Sequence, residues 1–121
     1  MSVKLPIDKD LSLKIGDSFH FSFTISDSSG YTITARDLTG YTGVGQIRLK
    51  SDPTSALIAD MTFSSDAQDL LDGKIVMTID AATSATLEAG TYFYDIYIDN
   101  GAGIVRTYFS GKFVISVRTS A

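Results

Sequence analysis

Apolar and polar residues alternate with period two along most of this chain. The clearest run is Ser18 to Ser26: Phe19, Phe21, Phe23 and Ile25 share one face, and His20, Ser22, Thr24 and Ser26 the other. Strict alternation over that length predicts a half-buried antiparallel strand. Leu5 to Ile15 has a weaker version in Leu11, Leu13 and Ile15, and Pro6 removes a ladder donor. An edge strand or a pair of short segments is expected there. Tyr31 to Ala35 predicts a short strand or an extended loop. Tyr41 to Lys50 predicts a strand with Gly45, Ile47 and Leu49 on one face and Val44, Gln46, Arg48 and Lys50 on the other. Gly43 and Gly45 leave room for a neighbour or a bulge. Further strands are expected over Ala56 to Phe63, Lys74 to Ile79, Thr91 to Asp99, Ile104 to Ser110 and Lys112 to Val117.

Turn signals separate these runs. Asp27-Ser28-Ser29-Gly30 and Asp37-Leu38-Thr39-Gly40 read as turns. Ser64 to Asp72 reads as a polar, acidic loop before a turn at Gly73. Asp80 to Glu88 is too short for a free helix and predicts one helical turn. Asn100-Gly101-Ala102-Gly103 predicts a hairpin, because Asn-Gly accepts positive φ. Gly111 predicts a bulge in a long last strand. About seven to nine short strands with frequent turns predict an all-β fold, an antiparallel β-sandwich, in one domain over residues 1–121.

Leu87-Glu88-Ala89-Gly90-Thr91-Tyr92 leads into the most β-prone run. The spacing predicts a tyrosine corner, in which Tyr92 turns inward and its hydroxyl finds a backbone partner. Tyr94, Ile96 and Ile98 then face the core, while Phe93, Asp95, Tyr97 and Asp99 face outward. A neighbouring strand would bring Arg48 to the same outer face, so an Arg48–Asp95 cross-strand pair is expected. If exposed, it is worth roughly 0.2–1 kcal/mol. Phe93, Tyr97 and Tyr108 together predict an exposed aromatic patch that contacts protein or sugar, or else lies under the chain's own N-terminal segment or the Tyr31–Ala35 piece.

Composition narrows the function classes. The chain has 121 residues, with 44% hydrophobic and 20% charged, an ordinary globular mixture. Net charge is −4, and the ten cationic residues are spread out, which argues against nucleic acid. There is no cysteine, so disulfides, thiolate metal sites and cysteine nucleophiles are excluded. The first residues carry no apolar signal region and no apolar run reaches membrane-span length, so an unprocessed chain made in the cytosol is expected. His20 is the one histidine, lies on a polar strand face and reads as a surface residue; no catalytic residues are assigned. Asp66, Asp69 and Asp72 lack the spacing of a calcium loop and read as solvated carboxylates, so no metal or cofactor is expected.

Several pieces in order resemble the immunoglobulin-like domains of tailed-bacteriophage virion proteins, as found at the N-termini of tail and upper-baseplate proteins. They are Gly16-Asp17-Ser18-Phe19, Asp37-Leu38-Thr39-Gly40-Tyr41, Gln46-Ile47-Arg48 and Asp72-Gly73-Lys74-Ile75. Leu87-x-x-Gly90-Thr91-Tyr92-x-Tyr94-Asp95-Ile96 and Thr107-Tyr108-x-x-Gly111-Lys112-Phe113-x-Ile115 complete the set. The resemblance implies an immunoglobulin-like sandwich with a non-enzymatic structural role in the particle. It acts through contacts with other virion proteins or with further copies of itself. The family pattern lacks Tyr31 to Arg36, which makes Tyr31, Ile33 and Arg36 expected partner-binding residues beside Phe93, Tyr97 and Tyr108, with the N-terminal segment as a further candidate surface. A chain stopping at Ala121 would suit a decoration, adaptor or tail-associated protein. The alternative is a carbohydrate-binding or adhesin module for host glycan.

Overall fold

A computed structural model describes residues 6–29, 32–52 and 54–119, the side chains of 27–29 and 32–35 excepted. In chain order the elements are β1 (Ile7–Asp8), β2 (Leu11–Lys14), β3 (Phe19–Thr24), β4 (Ser26–Ser29), β5 (Thr32–Ala35), β6 (Thr42–Arg48) and β7 (Leu57–Phe63). Then come α1 (Ala67–Leu71), β8 (Lys74–Ile79), α2 (Ala81–Ser84), β9 (Gly90–Asp99) and β10 (Val105–Ser116). The protein is all-β apart from the two helical turns, as the alternation predicts.

Eight strands form one mixed sheet in the order β1-β10-β9-β6-β7-β8-β3, with β2 also on β10. The first strands, β1 and β2, run parallel to β10; the other pairs are antiparallel. Strand β7 is what curls the sheet. Its first part pairs with β6, and its last residues, Thr62 and Phe63, pair with Thr78 and Met77 of β8. Strands β8 and β3 are thereby folded back over β9 and β10. Rings bridge the two ends: Phe19 meets Phe113 at 5.2 Å, Phe21 meets Phe109 at 5.0 Å, and Phe23 meets Phe109 at 4.7 Å. These edge-on contacts are the favoured geometry for aromatic pairs.

The core is the inward half of each alternation. Phe19, Ile25, Ile47, Met61, Ile75, Met77 and Ile79 are buried, with Tyr92, Tyr94, Ile96, Ile98, Phe109, Phe113 and Ile115. Gly45 is required by packing, since a Cβ there would lie 2.8 Å from the Met61 sulfur. Leu49 departs from the expected inward face and is 47% exposed, because the ladder shifts between Ile47 and Arg48 and β6 ends there.

Three local expectations are corrected. Asp27 to Ser29 is no turn: Ser26–Ser29 is strand β4, paired with β5 in a separate two-stranded sheet. The acidic loop contains helix α1, where Asp66 Oδ1 accepts from the Asp69 N–H and Asp69 Oδ2 accepts from the Asp66 N–H. This reciprocal cap uses Asp at the position where Glu or Gln is usual. The bulge in β10 falls between Thr107 and Phe109, leaving Gly111 in register with Tyr94. Gly111 is needed for a different reason: a side chain there would collide with the Lys9 carbonyl, where the chain steps from β1 to β2. Two expectations hold. Asp80 to Glu88 makes the single turn α2, capped by Asp80 Oδ1 on the Thr83 N–H, and residues 100–104 close a hairpin on the Asn100 side chain.

Tyr94 pins the N-terminal strands from beneath, its hydroxyl donating to the Lys9 carbonyl at 2.6 Å. Burial, with the charges of Asp10 and Asp8 nearby, holds its phenol pKa well above the ordinary value. An unfolded phenol ionises near pH 10. The folded state therefore keeps a proton that the unfolded state loses. Its contribution is complete below that pH and is lost as pH rises toward the folded pKa. Urea midpoints should fall between about pH 9 and 11.5, and Tyr94→Phe should flatten the decline. An equally steep decline in the variant would assign the effect elsewhere.

Candidate functional site

The outward residues of β6, β9 and β10 form the floor of a groove of about 830 Å³. Register places them in cross-strand rows. Arg48, Phe93 and Lys112 lie in one row, and Gln46, Asp95 and Ser110 in the next. Tyr97 follows, opposite Val44 and Thr107. Phe93 and Tyr97 are half-buried, two positions either side of the exposed Asp95. One wall is the N-terminal segment, through Pro6, Asp8 and Asp10; the other is the Lys50–Asp52 turn. Four carboxylates (Asp8, Asp10, Asp52, Asp95) and three cations (Arg48, Lys50, Lys112) thus surround two rings.

Arg48 is held, but not by Asp95. Its guanidinium donates to the Ser55 carbonyl at 2.8 Å and to Gln46 Oε1 at 3.0 Å. Gln46 in turn donates to Asp60 Oδ1 at 3.3 Å. The expected Arg48–Asp95 ion pair is therefore corrected: register sets Gln46 opposite Asp95 and Arg48 opposite Phe93. Loss of water in the groove raises the Asp95 pKa, and Arg48 offsets this only in part. Among the described residues Asp95 forms no salt bridge, in the floor of a mixed-charge groove. At the turn, Asp52 Oδ1 accepts from the Thr54 N–H and hydroxyl, both 2.9 Å, which lowers its pKa and keeps it charged.

The expected partner-binding residues do not all meet. Phe93 and Tyr97 share the groove. Tyr108 leaves them: it sits at the bulge in β10 and stacks on Phe23 at 5.9 Å, against the core. The bulge adds a residue and swings the side chain away from the outer face. Tyr31 and the Ile33 side chain lie outside the described residues. Arg36 is half-buried, and its backbone N–H donates to the Ile25 carbonyl at 3.0 Å, beside Gly73 and away from the groove. Tyr92 is buried, and its hydroxyl donates to the Glu88 carbonyl at 2.9 Å. His20 is exposed and makes no hydrogen bond among the described residues; nearby Asp17 accepts from Arg118 Nε at 2.9 Å.

The N-terminal segment is an expected contact surface as a whole, and the structure sets its Pro6, Asp8 and Asp10 beside the outward residues of β6 and β9. No local signal marks these residues or Lys112 individually, because the groove's wall exists only once β1 docks on β10, about a hundred residues away. Compared with known proteins, the chain matches no family model and no curated protein.

Proposed function

We propose that this chain is an immunoglobulin-like binding module of a tailed-phage virion, acting without catalysis through protein–protein contacts at the groove. The fold part of the reading is supported by the strand arrangement. In the one curled sheet, β10, β9 and β6 lie toward one end and the end of β7 with β8 and β3 toward the other, a division compatible with the two layers of an immunoglobulin sandwich. The Tyr92 hydroxyl on the carbonyl four residues earlier supports a tyrosine corner. The virion part is supported by the ordered resemblance of the sequence pieces.

The observation that carries the contact reading is the groove floor. Phe93, Tyr97 and Arg48 are residue types that dominate interface energies, and here they lie centrally within a charged rim. Replacing Phe93 and Tyr97 together by alanine is expected to weaken the partner contact by at least about thirtyfold, the usual effect at such centres. Both side chains are half-buried on the outer face, so the fold should persist. The measurement is recovery of the variant in purified particles, with chain abundance read by mass spectrometry. Undiminished incorporation would remove the groove from the contact, and absence of the unmodified chain from particles would remove the virion reading.

The same floor supports a second reading, a glycan site. Two rings beside Asp95, Gln46 and Arg48 provide a stacking surface with polar groups to orient a sugar. Binding to a glycan array that disappears in Phe93→Ala would favour it over the protein contact.

A further inference from the structure

Strand β3 ends the sheet, and its outer edge carries backbone groups that no described residue satisfies. Which groups these are follows from the bonds around it. On β8, the Val76 carbonyl accepts from the Ser64 N–H at 2.8 Å, and the Val76 N–H donates to Ser65 Oγ at 2.8 Å. Both bonds point away from β3, so Val76 and its register partner Ser22 are a non-bonded pair of the antiparallel ladder. Alternation extends this to His20–Thr78 and Thr24–Lys74. The N–H and C=O groups of His20, Ser22 and Thr24 therefore point outward along the free edge. Among the described residues the chain leaving β3 turns away from them, because Ile25 bonds to Gly73 and Arg36 on the β8 side.

Natural sheets usually protect such an edge with lysine, proline, a bulge or a covering segment. Residues 19–24 contain no lysine or proline, and their ladder with β8 runs without a shift. The inner side of this edge is aromatic. Phe21 and Phe23 are half-buried, lie 5.9 Å apart, and pack on Phe109 from one side.

We infer that β3 pairs antiparallel with β3 of a second copy, about a two-fold axis at Ser22. That register sets Ser22 opposite Ser22 of the partner subunit and His20 opposite Thr24 of the partner subunit. All three outward residues on each copy then exchange both backbone bonds. The facing side chains include no carboxylate, lysine or arginine, so no like charges are opposed. The same register sets Phe21 opposite Phe23 of the partner subunit in the non-bonded pairs, where side chains approach most closely. Four rings are brought together across the axis. An arbitrary strand would satisfy the backbone but would not place a phenylalanine against both Phe21 and Phe23, which is why the occupant is a second copy. The pairing involves the layer opposite the groove and does not depend on how the groove is read.

The test is the mass in solution by light scattering up to several hundred micromolar. The expected result is twice the 13.0 kDa of one chain. Ser22→Lys opposes like charges at the axis and should raise the dimer dissociation constant by at least about tenfold while leaving the circular dichroism unchanged. A second variant tests the register directly. Across a bonded antiparallel pair the Cα atoms lie about 5.5 Å apart, inside the disulfide range. The chain has no other cysteine, so oxidised Ser22→Cys should give a covalent dimer, and Thr86→Cys, exposed on another surface, should not. A monomeric mass throughout, or a dimer that survives Ser22→Lys, overturns the pairing. A dimer abolished instead by Phe93→Ala with Tyr97→Ala places the self-contact in the groove.

Discussion

Replacing Phe113 by alanine is expected to lower the unfolding free energy by about 3–5 kcal/mol. The ring is fully buried. It lies on β10 between Tyr92 of β9 and Leu11 of β2 in register, and meets Phe19 of the opposite end at 5.2 Å and Tyr94 at 6.2 Å, both edge-on. One side chain thus joins the sheet's two ends and its N-terminal strand. Truncation removes the transfer gain and leaves a cavity that a sheet hydrogen-bonded on both sides of β10 cannot close. Against a typical total of about 5–15 kcal/mol this is a large share. Phe113→Leu keeps much of the volume and should lose far less. Urea denaturation gives both values; a loss below about 1 kcal/mol for alanine would mean that the ring contacts do not hold the two ends of the curled sheet together.

The second large effect is expected at Gly73, between α1 and β8. Its φ is +74°, where a side chain costs about 1–2 kcal/mol. Here a Cβ would also lie 2.6 Å from the Ile25 carbonyl oxygen and 2.9 Å from that of Arg36. Neither can yield cheaply, because Ile25 accepts from Arg36 and donates to Gly73 itself. Gly73→Ala is therefore expected to cost about 2–4 kcal/mol, with strain and collision adding. Gly40 separates the two: its φ is +87°, but a Cβ there would meet nothing within 4 Å. Gly40→Ala should show the strain alone. Equal losses at both sites, read from the same unfolding curves, would remove the collision from the account.

Much of the fold was legible because period-two alternation reports directly on burial. Phe19 in β3 and Ile25 just beyond it, with Tyr92, Tyr94, Ile96 and Ile98 in β9, face the core as their spacing predicts. Caps were less legible. Asp66 and Asp69 look like loop carboxylates until their reciprocal bonds to the backbone are seen, and the usual sign of a Glu or Gln at the third helical position is missing. The bulge was misplaced for a related reason. A glycine suggests irregularity, but Gly111 answers to a backbone passing above it, whereas Tyr108 takes the extra position.

The candidate site was half visible. Phe93, Asp95 and Tyr97 share a face by local geometry alone, since neighbours two apart on a strand must. Everything beside them depends on register between distant segments. Sequence spacing set Arg48 and Asp95 on one surface but not opposite each other; a shift of two positions gave Asp95 to Gln46 and left Arg48 to Ser55.

By itself, the sequence determined most of the strands, most of their inward faces and the outward pair Phe93 and Tyr97, because each follows from alternation within a few residues. Only the tertiary structure decided that β1 docks on β10 to wall the groove, that Tyr108 turns away from it, and that β3 comes last in the sheet, with no strand beyond it among the described residues. Those features arise from hydrogen bonds and ring contacts between residues up to a hundred positions apart, and no local pattern encodes which partner a strand will find.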